Sequence, residues 1–249
     1  MTSAPTAASA GPTRAEQVRA YAVHVYTASG VVFAFLAAAE TCAPEPDPRR
    51  VFLWLALAVL VDATDGPLAR LWKTKTNAPR IDGRTIDDIV DYLTFTFLPL
   101  LLVWRMGWVP EPGWVWVAPA LVASLMGFAN TAAKDEGGGF FLGFPSYWNV
   151  VAFYAGLLFA AAGPWPVAVL LLALALLTVL PVRFIYPNLA PRPWRIPVLL
   201  GAAVWLAIML AMLRGYPEET PGWLLWASLV YPAFYTALSF HLARARPGR

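Results

Sequence analysis

Sulfur, imidazole and charge are all scarce in this sequence. One cysteine and two histidines among 249 residues exclude an intramolecular disulfide framework, and no Cys/His cluster has the spacing of a zinc site. Any metal bound by this chain therefore takes oxygen ligands. Only 13% of the residues are charged while 59% are hydrophobic, a balance that excludes an ordinary soluble domain and fits a multi-span membrane protein. The net charge of +3 makes no case for nucleic acid as a partner, because membrane proteins gather Lys and Arg in their cytoplasmic loops. Internal repeats and Gly/Ser-rich or Pro-rich linkers are missing too, so residues 14–249 are expected to form one membrane-embedded domain. The preceding "MTSAPTAASAGP" has neither a basic start nor an apolar centre. It predicts a disordered tail over 1–13 rather than a cleaved signal.

What the chain does have is long apolar runs. Eight segments approach the ~20 residues a helix needs to cross a bilayer: 22–42, 51–72, 86–106, 113–133, 147–163, 165–186, 195–213 and 222–243. The expected fold is all-α and polytopic, with about eight transmembrane helices. With the N-terminus in the cytoplasm, fourteen of the eighteen Lys and Arg residues fall on that side, leaving Arg49, Arg50, Arg105 and Arg214 outside. This asymmetry predicts that both termini, and the loop joining spans two and three, are cytoplasmic. The twelve Trp and nine Tyr read mostly as interfacial belts. His24, inside the first span, reads as a packing residue rather than a proton carrier.

Against this apolar background, Val61–Asp91 holds six aspartates. Asp62 and Asp65 are three apart and lie within about 60° on one helix face, and Asp87 and Asp91 are four apart, within about 40°. A carboxylate at the centre of the membrane costs about 2.5–3.5 kcal/mol, so four would cost on the order of 10–14 kcal/mol if all were central. Too few basic residues share those turns to offset this. A hard divalent cation is the natural counter-charge, and oxygen-only ligands suit Mg2+ or Mn2+. Gly66 and Ala69 provide a small-residue surface beside the carboxylates, and Arg70 can offer its planar fork to a phosphate. Together these describe a pyrophosphate site, although Gly66 and Ala69 could equally serve helix packing and Arg70 could snorkel. Asp82 reads as a solvated loop residue. Asp88 reads as a helix-start acid in a near capping box with Thr85 at the N-cap.

The pattern Asp62-x-x-Asp65-Gly66-x-x-Ala69-Arg70 followed by Gly83-x-x-x-Asp87-x-x-x-Asp91 resembles the signature of the CDP-alcohol phosphotransferases. The twelve residues between Arg70 and Gly83 exceed the usual spacer of that superfamily and resemble the bacterial phosphatidylcholine synthases. So do "RAYAVHVYTASG", "DEGGGFFLGFPSYWN" and "LTVLPVRFIYP", and the likeness runs from Arg19 to about Pro193. The resemblance implies a CDP-alcohol phosphotransferase fold in the bacterial inner membrane, with its active site on the cytoplasmic side. It also implies transfer of a phosphatidyl group from CDP-diacylglycerol to choline, a homodimer, and two metal ions held by Asp62, Asp65, Asp87 and Asp91. Asp91 is then the general base, and Gly66, Ala69, Arg70 and Gly83 are the CDP-binding positions.

A quaternary ammonium cannot donate a hydrogen bond, so a choline site should present aromatic faces and an acid. Tyr21, Tyr92 and Tyr186 are available, and the segment holding Glu136, Phe140, Phe141, Tyr147 and Trp148 is favoured as choline-binding because it is a Gly-rich charged loop beside three aromatic types. Lys73, Lys75, Arg80 and Arg84 keep an anionic acceptor such as glycerol phosphate open, and serine and inositol also remain as alternatives. From another class, a cation transporter would also use intramembrane acids.

Overall fold

The computed structural model describes residues 11–135 and 138–245; the first ten residues of the expected tail lie outside them. Within the described residues, the apolar segments fold into eight helical rods. The first combines α1 (Arg14–Ala28) and α2 (Gly30–Thr41). It starts eight residues earlier than the hydropathy suggested because Thr13 and Glu16 form a reciprocal capping box, in which the Glu16 carboxylate accepts from the Thr13 N–H at 2.8 Å and the Thr13 hydroxyl accepts from the Glu16 N–H at 3.3 Å. The second rod is α3 (Pro48–Leu71), with Asp47 as N-cap and Pro48 at the first helical position.

The third rod is composite. A short helix, α4 (Thr74–Asn77), occupies the loop, then α5 (Gly83–Asp91) passes through a π turn over Tyr92–Phe97 into α6 (Leu98–Arg105). The start of α5 corrects the expectation for two aspartates. Asp82 is the N-cap, accepting from the Arg84 N–H at 3.1 Å and the Thr85 hydroxyl at 2.8 Å, so Thr85 lies inside the helix and caps nothing. Asp88, in the next turn, pairs with Arg84 at 3.7 Å.

The remaining rods are α7 (Trp114–Ala129), α8 (Trp148–Ala162), α9 (Pro164–Val179), α10 (Arg192–Met212) and α11 (Gly222–Ala245). Between them runs a small antiparallel sheet in the order β1 (Lys134–Asp135), β2 (Phe140–Leu142), β3 (Arg183–Ile185). Four helical stretches, Arg14–Thr41, Pro48–Leu71, Arg192–Gly215 and Gly222–Ala245, are long and apolar enough to cross a membrane by length and composition. Three shorter apolar helices, α7 to α9, have 16, 15 and 16 residues, about 22–24 Å at 1.5 Å per residue.

The main core joins α2, α3 and α6 to α9 around Leu55, Leu100, Phe153 and Leu171. A second cluster around Phe140, Ile185, Val198 and Leu238 holds the sheet against α10 and α11. Large apolar side chains such as Phe35, Leu60, Val204 and Trp226 point outward, which water would penalise and lipid would not. The chain is a polytopic, mostly helical membrane protein.

Candidate active site

The aspartates of α3 and α5 meet because both helices are held against the first rod. Gly83, at the start of α5, lies so close to His24 of α1 that an added Cβ would sit 2.8 Å from the imidazole Cε1. One α2 residue repeats this at the other end of α5, where a Cβ on Gly30 would sit 2.6 Å from the Val90 Cγ1. Two glycines thus let α5 approach the first rod at backbone distance. On α3, the Tyr26 and Thr64 hydroxyls share a hydrogen bond of 2.7 Å.

This packing brings Asp62, Asp87 and Asp91 together. Each offers a carboxylate oxygen, and the three oxygens lie within 4.8 Å of one another on half-buried side chains. That limit lies a little above twice a Mg2+–oxygen bond, roughly 4.2 Å. An all-oxygen anionic donor set of this size fits a hard divalent cation. Asp65 is not one of the converging three. It is buried and turned toward α1, its carboxyl within interaction range of the Thr27 side chain. Asp82 stays outside the cluster as well. Hydrogen bonds from the Thr85 side chain and the Arg84 backbone hold its carboxyl below the usual carboxylate range.

Of the expected phosphate and nucleotide positions, Gly66 and Arg70 are adjacent. Arg70 folds its guanidinium back along α3, its Nη1 3.5 Å from where a Gly66 Cβ would be, and remains exposed. Ala69 is half-buried beside it.

The expected choline segment is dispersed. Trp148 is fully buried in the main core, its indole N–H donating to the Ser124 hydroxyl at 2.6 Å. Phe140 is buried under the Arg183 guanidinium, 5.8 Å from its ring centre, and Phe141 packs on Tyr186 at 4.5 Å. Glu136 lies outside the described residues. Of the described members of the set, Tyr147 alone lines a large cavity.

That cavity, about 840 Å³, lies between α3, the π turn, α8, α10 and α11. It spans most of the bundle, with its α11 wall running from Leu225 to Phe240. Val59 on its α3 wall is one turn before Asp62, and Phe95 on the π turn is about one turn after Asp91, so the acidic cluster stands at the cavity's edge. Tyr231 and Tyr235 of the last helix also line it. The sequence reading took most tyrosines as interfacial belt and singled out neither of these; their spacing of four, which puts them on one helix face, is the signal that could have done so.

No protein-family model matches the chain. It is 39% identical over 172 residues to a phosphatidylcholine synthase of Pseudomonas aeruginosa, covering 69% of this chain and 70% of that protein. It is 35% identical over 212 residues to one of Rhizobium meliloti, covering 83% of each. With one of Legionella pneumophila it shares 33% over 232 residues, covering 89% of this chain and 88% of the relative.

Proposed function

The chain belongs to the phosphatidylcholine synthase family, and on that premise we propose that it transfers the phosphatidyl group of CDP-diacylglycerol to choline, releasing CMP. Membership of a synthase family sets aside the transporter alternative. The observation that carries the reading is the convergence of Asp62, Asp87 and Asp91 at the edge of an apolar cavity in a membrane protein. A headgroup reaction can occur there while the acyl chains remain in an apolar environment.

The choline hydroxyl oxygen attacks the phosphorus that carries diacylglycerol. A new P–O bond forms to choline, the P–O bond to CMP breaks, and the hydroxyl proton passes to the Asp91 carboxylate. Asp62, Asp87 and Asp91 would hold the Mg2+ or Mn2+; family resemblance alone adds Asp65 and a second ion. Bound there, such ions neutralise charge on the pyrophosphate oxygens. Arg70 binds a phosphate with its planar fork. Gly66 and Ala69 leave room for the nucleotide beside α3, and Gly83 joins them as a CDP-binding position by family resemblance. The reaction is placed on the cytoplasmic side of the inner membrane, and the working unit is a homodimer, in keeping with the family resemblance.

Purified protein supplied with CDP-diacylglycerol and Mn2+ should release CMP with choline, and only weakly with serine, inositol or glycerol phosphate in parallel. CMP release with inositol but not choline would overturn the acceptor assignment. No release with any acceptor would overturn the reaction class.

A further inference from the structure

We propose that Tyr147, Tyr231 and Tyr235, closed on one side by Phe95, form the pocket that selects a quaternary ammonium acceptor. The inference rests on the function proposed above and assigns its specificity to residues from three separate elements.

Position is the first argument. Tyr147, just before α8, lines the same cavity as Tyr231 and Tyr235, and Tyr235 is tied to that end through Ile185, whose neighbour Phe184 packs on Phe144 at 6.4 Å, three residues before Tyr147. The Tyr231 and Tyr235 rings are 6.4 Å apart, as are those of Phe95 and Tyr147. The four rings thus lie at the end of the cavity nearest the proposed base.

Chemistry is the second. Tyr231 donates its hydroxyl hydrogen to the Val198 carbonyl at 3.0 Å, and Tyr235 donates to the Ile185 carbonyl at 2.6 Å. With those hydroxyls engaged, the last helix offers the cavity aromatic surface rather than hydrogen-bond donors. Among the described residues, no Lys, Arg, Asp or Glu lines the cavity. An anionic acceptor would find no cation there, and a polyol would find few partners. A trimethylammonium group needs none: it takes aromatic faces, with Asp62 and Asp91 as nearby negative charge. The whole cavity far exceeds the volume of a choline. The tyrosines form only its end at the carboxylates, and the aliphatic remainder suits acyl chains.

The test measures KM for choline, the inhibition constant of tetramethylammonium, and KM for CDP-diacylglycerol in purified Tyr231→Leu, Tyr231→Phe, Tyr235→Leu and Tyr235→Phe. The Leu variants should raise the choline KM and the tetramethylammonium constant together, by roughly tenfold or more, while the CDP-diacylglycerol KM moves less than about twofold. The Phe variants keep the ring and lose only the anchoring hydrogen bond, so they should recover most of that loss. Phe variants as impaired as Leu variants would show that the hydroxyl anchors matter and the rings do not, overturning the pocket. So would an unmoved choline KM, or an equal rise for both substrates. If the unaltered protein releases CMP with another acceptor and not with choline, the functional reading itself fails and the pocket fails with it.

Discussion

Asp91 belongs to the acidic cluster and is the residue proposed to receive the acceptor's proton. General-base catalysis contributes roughly 10²–10⁴-fold, so Asp91→Asn should lower kcat by at least about a hundredfold. Turnover near that of the unaltered protein would remove the assignment. Trp148 is a contrasting case, an aromatic residue next to Tyr147 in sequence but with a different task. It is fully buried, and its N–H and the Ser146 hydroxyl both donate to the Ser124 hydroxyl, at 2.6 and 3.1 Å. Trp148→Phe forfeits a buried hydrogen bond, a cost of about 1–3 kcal/mol. A lower apparent melting temperature with an unchanged choline KM is the expected pair of results, and a raised choline KM with unchanged melting would return Trp148 to the binding site. Sequence proximity could not separate these neighbours, because the distinction depends on which side of α8 faces the core.

Among the elements, α5 is the one whose placement matters most. It carries two of the three converging carboxylates and is set by close contacts at Gly83 and Gly30 and by the Asp82 cap. An alanine methyl at position 83 would overlap His24, and overpacking of this kind typically costs about 1–3 kcal/mol. Gly83→Ala should therefore weaken Mn2+ activation by displacing the start of α5. Adding His24→Ala should restore much of the loss, giving a coupling of about 0.5–3 kcal/mol in a double-mutant cycle. Strict additivity would instead mean that Gly83 acts through the nucleotide alone. The pairing of Asp87 with Asp91 was legible from a spacing of four, and Asp62 was legible as their partner from the charge cost of intramembrane acids. The orientation of Asp65 toward Thr27 was not, because adjacent positions on one helix face can still meet different neighbours. The short sheet was equally hidden, since strands of two and three residues carry no periodicity to read.

At the scale of the molecule, eight apolar runs became eight helical rods, because run length and the Pro, Gly and charge of the breaks are local properties. The convergence of Tyr147 with Tyr231 and Tyr235 spans more than eighty residues of sequence and is set only by packing. Orientation is open to direct measurement through Cys42. The thiol is exposed, is the chain's single cysteine, and closes the first rod at the end away from the loop between α3 and α5. A membrane-impermeant maleimide should label it from the outer face of the inner membrane in spheroplasts. Labelling only after the membrane is opened would invert the proposed topology. In the proposed reaction the acceptor's own oxygen becomes bonded to the phosphatidyl phosphorus, and oxygen-18 in the choline hydroxyl follows that bond. The label should appear in the phosphate of the phosphatidylcholine formed and be absent from the CMP released in equal amount; label in the CMP, or a lipid product without it, would rule out attack by the choline oxygen.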